Sequence, residues 1–189
     1  HGVENALRMN KAASKALGIK TDDVMDYSTG VIGAQFDVTK VENNVQALKD
    51  GLSKKGHEEA RVAIMTTDTH YKECAVEFEI DGKFCRMGTM CKGSGMIHIN
   101  MGTMLSFITT DCAISSKMLS KALHESIAGT YNCVSVDGDT STNDTLTIMA
   151  NGLAKNKEIK KAEKNYDIFL AALNKMNRVM AMKIAADGE

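Results

Sequence analysis

The sequence predicts a layered, mixed α/β (α+β) fold, on three observations. Apolar residues recur at three- and four-residue spacing near both ends of the chain. Residues 74–90 alternate apolar and polar about an Asp-Gly pair. The helical and strand-like stretches follow one another without a regular repeat.

Taken in order, residues 4–17 read as a helix with Ala6, Leu7, Met9, Ala13, Ala16 and Leu17 near one face and Gly18 as its stop. Val24 to Tyr27 is a short apolar segment leading into the loop Ser28-Thr29-Gly30. Thr39 is expected to cap a second helix, in which Val41, Val45, Leu48 and Leu52 carry the helical spacing. Arg61 to Met65, a compact apolar run, is expected to be a strand. Cys74–Ile80 and Lys83–Met90 flank Asp81-Gly82 as a hairpin. Thr103–Thr109 is expected as a strand, Ser115–Ile127 as a helix and Tyr131–Val136 as a strand. Residues 158–187 are expected as a long helix striped by Tyr166, Phe169, Leu170, Leu173, Met176, Val179, Met180 and Ile184. The methionines mostly fill such stripe positions, which points to core packing. The chain is expected to form one domain over residues 1–189.

Composition limits the function. Of 189 residues, 43% are hydrophobic and 25% charged, with a formal net charge of -1. That balance gives no electrostatic case for nucleic acid or a membrane surface. No apolar run approaches the roughly 18 residues of a membrane span, and the opening residues read as an amphipathic helix rather than a signal peptide. Five cysteines, at positions 74, 85, 91, 112 and 133, form no CxxC pair, which favours reduced, buried thiols and a cytoplasmic setting. The chain contains no proline, for which there is no physical account.

Four stretches are rich in Thr, Gly and Asp: STGVIG (28–33), TTDT (66–69), KGSGMIHINMGTML (92–105) and VDGDTSTNDT (136–145). Small residues let backbone N–H groups approach a ligand. KGSG lacks the spacing of a phosphate loop. DGDTSTND begins like a calcium loop, yet Thr142 stands at the turn-glycine position and Ile148 at the bidentate-glutamate position. The histidines show no zinc-ligand spacing, so no metal is expected. A Cys–His nucleophile finds no support in the spacing. The segment around Thr103 offers another chemistry. A Gly102–Thr103 bond is sterically open to attack by the Thr103 hydroxyl, and hydrolysis of the resulting ester would free Thr103 as an N-terminus. An α-amine titrating near pH 7.7–8.0 can then serve as the base for that hydroxyl. The plain alternative is that Thr103 is a strand residue.

STGVIG, KGSGMIHINMGTMLSFITTD and VDGDTSTNDT, in that order, resemble the ornithine acetyltransferase (bifunctional glutamate N-acetyltransferase) family of arginine biosynthesis. The resemblance runs from about residue 2 to the last residue and covers about half of a typical member, so that the family's N- and C-terminal sections are expected to lie outside the chain. It implies a layered αββα sandwich close to that of self-cleaving aminopeptidases. It makes Thr103 the nucleophile, Gly102–Thr103 the self-cleavage bond, and Thr29 and Gly30 the oxyanion hole. It makes Thr66, Lys92, Thr103 and Glu189 substrate contacts, with Asn143 and Asp144 as groups supporting them from behind. The family usually has proline where this chain has Ile99, and often alanine where it has Gly102.

The implied activity is transfer of an acetyl group from N-acetylornithine to glutamate through an acetyl-threonine intermediate, a two-step (ping-pong) exchange. It needs no cofactor, with acetyl-CoA a second donor in bifunctional members. The implied partners are the amino-acid substrates and an oligomer of cleaved α and β chains, without nucleic acid or membrane. Two other readings stay open. One is a self-processing amidohydrolase or aminopeptidase, in which water takes the acyl group. The other is an inactive structural fragment.

Overall fold

The computed structural model describes residues 2–98 and 104–188. The chain divides into two compact units, His1–Ala60 and Arg61–Glu189, each described by itself.

In the first unit, helix α1 (Gly2–Leu17) is followed by a 3₁₀ turn at Thr21–Asp23 and by helix α2 (Thr39–Asp50). Arg8 joins the two helices through a forked pair with Glu42, at 2.9 Å from Nε to Oε1 and 2.5 Å from Nη2 to Oε2. Such parallel N–H donors match the carboxylate geometry. The Asn10 amide donates to the Val24 carbonyl at 3.2 Å, holding the following loop against α1. Thr39 is not the cap of α2 but its first residue. The capping acceptor is Asp37, whose Oδ1 takes the Thr39 N–H at 3.1 Å and its hydroxyl at 2.5 Å. Leu48 and Leu52, expected on an apolar stripe, are exposed.

Helix α3 (His57–Ala63) corrects the strand expected at Arg61–Met65. A short apolar run suits a strand or a buried helical turn equally. Here Glu58 and Glu59 stand in the first turn, where the helix dipole favours acids.

The second unit is built on a four-stranded sheet of β1 (Lys72–Ile80), β2 (Lys83–Lys92), β3 (Leu105–Thr110) and β4 (Thr145–Ala150), in that spatial order. The first two pairings are antiparallel, and β3 pairs with β4 in parallel. The Asp81-Gly82 turn has φ 48° and 75° at its two residues, the left-handed pair that a two-residue hairpin demands and glycine supplies without cost. Helices α4 (Ser116–Ala128) and α5 (Lys164–Ala186) complete the unit. Ser115 caps α4, its hydroxyl accepting the Met118 N–H.

The alternation sets the core. Ile80, Cys85, Met87 and Ile108 pack with Met118 and Ala122 of α4 and with Tyr166, Phe169, Leu173 and Met176 of α5. A second buried cluster gathers Cys91, Ile97, Met104, Tyr131 and Val134 with Met180, Ala181 and Ile184 near the end of α5. Helix α5 thus spans both clusters, which is why its stripe continues for so many turns.

Two further expectations need correction. Tyr131–Val136 holds a 3₁₀ turn at Tyr131–Cys133 instead of a strand. Tyr131 and Val134 are both buried, and a three-residue interval matches a 3₁₀ turn, not the two-residue period of a strand. Residues 158–163 precede α5 rather than open it, and Ile159 bridges to Ile114. Strand β4 was not foreseen. The strand expected at Thr103–Thr109 is β3, while Thr103 itself lies outside the described residues. The structure is therefore a mixed α/β arrangement, with five helices and four strands among the described residues.

If α5 carries the core, Phe169→Ala should lower stability by about 3–5 kcal/mol, whereas Met182→Ala on the exposed face should stay within about 0.5 kcal/mol of the parent. Urea unfolding followed by circular dichroism measures both.

Candidate functional site

At one end of the second unit a buried lysine organises several backbone segments. The Lys72 ammonium donates to Asp68 Oδ1 at 2.7 Å, to Asp187 Oδ2 at 2.5 Å and to the His70 carbonyl at 3.3 Å. The side chains of Lys72 and Asp68 are 1% and 0% exposed, so water cannot replace these partners. Asp68 does more than neutralise the charge. Its Oδ1 also accepts the Gly93 N–H at 2.6 Å, and its Oδ2 accepts the Thr66 N–H at 3.1 Å. Asp187, just past the end of α5, accepts the backbone N–H groups of Thr69 at 3.1 Å and His70 at 3.4 Å, together with the Thr69 hydroxyl.

The titration shifts follow from this packing. Burial would raise the Asp68 and Asp187 carboxyls, but hydrogen bonds outweigh it and both stand below the ordinary aspartate range. Burial likewise pulls Lys72 down, and its two carboxylate partners more than restore it, so it stands above the ordinary lysine value.

Two expected substrate residues meet on this frame. Thr66 is held at its N–H by Asp68, and Lys92, the last residue of β2, precedes the Gly93 amide that binds the same carboxylate. The Thr67 and Ser94 hydroxyls meet at 2.6 Å across the same junction. Lys92 is 2% exposed. Among the described residues none accepts a hydrogen bond from its ammonium or forms an ion pair with it. Burial lowers its pKa and Lys72 adds to that, while Asp68 and Asp144 oppose them. A buried, underpaired ammonium is costly and favours an incoming carboxylate.

Asp144 faces this lysine electrostatically and accepts the Met104 N–H at 2.7 Å; burial raises its pKa above the ordinary value. Asn143 bonds within its own loop, to Ser141. The acidic string of this loop therefore serves backbone amides. Among the described residues no group of three or more His, Cys, Asp or Glu side chains could hold a metal ion. Cys91, buried in the cluster that holds Tyr131, is pushed up to about 12 by burial, which keeps its thiol protonated and a poor nucleophile.

Thr29 and Gly30 belong to the first unit, in the loop after Val24, with Thr29 half-buried and Gly30 exposed. A concavity of about 380 Å³ in that unit is lined by Asn5, Met9, Asp26, Ser28, Gln35 and Phe36, among others, and so adjoins this pair in sequence. Gly102, Thr103 and Glu189, like Ile99, lie outside the described residues. Glu189 follows Gly188, at which a Cβ would come within 2.7 Å of the Val136 side chain. Only glycine fits that close approach. Sequence reasoning did not find Asp68, Lys72 or Asp187. The i, i+4 spacing of an Asp and a Lys was the available signal for the first two. Nothing local marks Asp187.

Comparison with known proteins gives a family match over the whole chain. A family model described as ArgJ family matches residues 1–189. The chain is 46% identical over 188 residues to "Arginine biosynthesis bifunctional protein ArgJ" of Caldanaerobacter subterraneus subsp. tengcongensis, covering 100% of this chain and 47% of that protein. The protein of the same name from Lactococcus lactis is 45% identical over 188 residues, with 100% of this chain and 47% of its own length covered. That of Thermotoga neapolitana is also 45% identical over 188 residues, with the same two shares. The chain spans about half the length of the curated relatives it matches.

Removing the central cation should leave two buried carboxylates unpaired, so Lys72→Met is expected to cost about 3–5 kcal/mol in urea unfolding. The pH dependence has a definite sign. The lowered Asp68 and Asp187 stabilise the fold above the ordinary aspartate value of about 3.9 and lose that contribution as pH falls through their folded values; the raised Lys72 loses its own only at the alkaline end. The thermal midpoint should fall steeply below about pH 4, and Asp187→Asn should flatten that fall.

Proposed function

The chain belongs to the ArgJ family, and on that premise we propose that it carries the acyl-transfer centre of an arginine-biosynthetic glutamate N-acetyltransferase. The observation that carries the reading is the buried Lys92 ammonium, which has no direct counter-ion among the described residues and is held against the Thr66 loop through Asp68. Both substrates of the proposed exchange are amino acids with an α-carboxylate, the group such a cation selects.

Maturation comes first. The Thr103 oxygen attacks the Gly102 carbonyl carbon, the C–N bond breaks, and the Thr103 amine is released as an ester forms. Water then cleaves the ester, leaving Gly102 with a free carboxylate and Thr103 with a free hydroxyl and α-amine. In the exchange, that amine takes the hydroxyl proton as the oxygen attacks the acetyl carbon of N-acetylornithine. The same proton goes to the departing ornithine amine. Thr29 and Gly30 donate to the oxyanion formed in each half-reaction. Glutamate attacks the acetyl-threonine ester and leaves as N-acetylglutamate. Thr66 and Glu189 complete the substrate contacts, Glu189 toward the substrate amine. This reading brings with it the αββα sandwich as one domain, a cytoplasmic location, an assembly of cleaved α and β chains, and acetyl-CoA as a second donor in place of any resident cofactor. What supports it is the family and the Lys92 environment. Among the described residues no helix is long and apolar enough to cross a membrane.

Intact mass under denaturing conditions tests maturation. The parent should give two fragments parting between Gly102 and Thr103, and Thr103→Ala one uncut chain without exchange activity; full exchange activity in Thr103→Ala would sink the reading. Lys92→Met should raise KM for glutamate about tenfold or more, the loss of one charge-assisted contact. Because burial lowers the Lys92 pKa, KM in the parent should begin to rise at a pH below the ordinary lysine value of about 10.4.

A further inference from the structure

One loop holds the chain on both sides of residues 99–103. On the N-terminal side, Asp137 accepts the Met96 N–H at 2.5 Å through Oδ2 and the Ile97 N–H at 3.0 Å through Oδ1. The Val136 N–H returns a bond of 2.8 Å to the Ile97 carbonyl. Ser135 Oγ meets His98 Nδ1 at 3.0 Å. On the C-terminal side, Asp144 accepts the Met104 N–H at 2.7 Å, and the Thr145 N–H donates to the Met104 carbonyl at 2.9 Å. Both ends are fastened twice more by packing: Ile97 and Met104 are 2% and 3% exposed and sink into the same apolar cluster. Met96 is held at φ 53°, a left-handed conformation that a residue with a side chain keeps only when its surroundings impose it.

From this arrangement we propose that Asp137 and Asp144 are positioning residues for the maturation cut, in which the Thr103 oxygen attacks the Gly102 carbonyl carbon, through their grip on the Met96, Ile97 and Met104 amides that flank that bond in sequence. The inference rests on the proposed self-processing. It assigns the acidic stretch 136–145 a task that composition alone left as a turn. The grip needs a side-chain acceptor oxygen at each of these two places. A carboxylate accepts from two amides at once, as Asp137 does, and an amide N–H beside the reacting bond bonds more strongly to a charged acceptor than to water or a neutral carbonyl. Fixing both flanks in advance is the entropic route by which an intramolecular attack is accelerated.

The test follows cleavage by intact mass over time in the whole protein that carries this chain, with thermal midpoints recorded for each variant and the assay run well below them. Asp144→Ala and Asp137→Ala should each slow cleavage about tenfold or more. Asp144→Asn keeps one acceptor oxygen for Met104 and should restore a rate within about threefold of the parent, a rescue that loss of fold stability alone would not produce. Parent rates in both alanine variants would overturn the proposal, as would an Asp144→Asn variant as slow as Asp144→Ala. If the parent itself stays uncut, the self-processing reading falls. The clamp is then decided in the Thr103→Ala background by hydrogen exchange: the Met104 amide must exchange at least about tenfold faster once Asp144→Ala is added, and equal protection would end the proposal.

Discussion

The Lys72 ammonium is the point on which the second unit is registered. A charge this deep is costly unless its protons find acceptors, and those of Lys72 come from Asp68, Asp187 and the His70 carbonyl. Those acceptors fix the start of β1, the loop before it and the end of α5 to one another. Through the second oxygen of Asp68 the same charge fixes Thr66, and through its first oxygen the turn after Lys92. Replacing such a network by apolar side chains can match its stability, but it would not specify the same register. The arrangement is better understood as a device for placement than as a source of folding energy.

Around that point the unit separates its tasks along α5. The cluster near the hairpin, with Phe169, Leu173 and Met176, is apolar packing between sheet and helices. The cluster with Met180, Ala181 and Ile184 instead backs the polar end, receiving Ile97 and Met104 from either side of residues 99–103 and Cys91 from beside Lys92. Methionine suits this position, since its unbranched chain fills irregular gaps beside a loop without imposing a shape on it.

What the sequence disclosed depended on how local each signal was. The Asp81-Gly82 hairpin, the Ser115 cap and the stripe of α5 were legible because each is written within a few turns or residues. Arg61–Met65 and Tyr131–Val136 misled because runs of only five and six residues fit more than one period, and tertiary burial made the choice. Strand β4 was hidden behind a polar stretch and is recognised only by its pairing with β3. Lys92 and Thr66 came from the wording of their segments and a family resemblance. Their surroundings could not, because Asp187 reaches Lys72 across most of the second unit's sequence. The acidic string 136–145 was readable as a loop but not as an amide acceptor, since its partners lie some forty residues earlier.

Were the chain cut as proposed, the β2–β3 ladder would acquire a second role. Met87 through Lys92 pair with Leu105 through Thr110, and a cut between residues 102 and 103 would leave β2 on one product and β3 on the other. The central ladder of the sheet would then be an interface between two polypeptides, with α5 of the second product packed on β1 and β2 of the first. Unfolding would become a dissociation, its midpoint dependent on concentration, and reassembly would have to recover the loop-closure entropy that the intact chain had supplied. Cut in this way, the protein would fold once as a single chain and thereafter persist kinetically, its lifetime set by the rate at which the ladder opens.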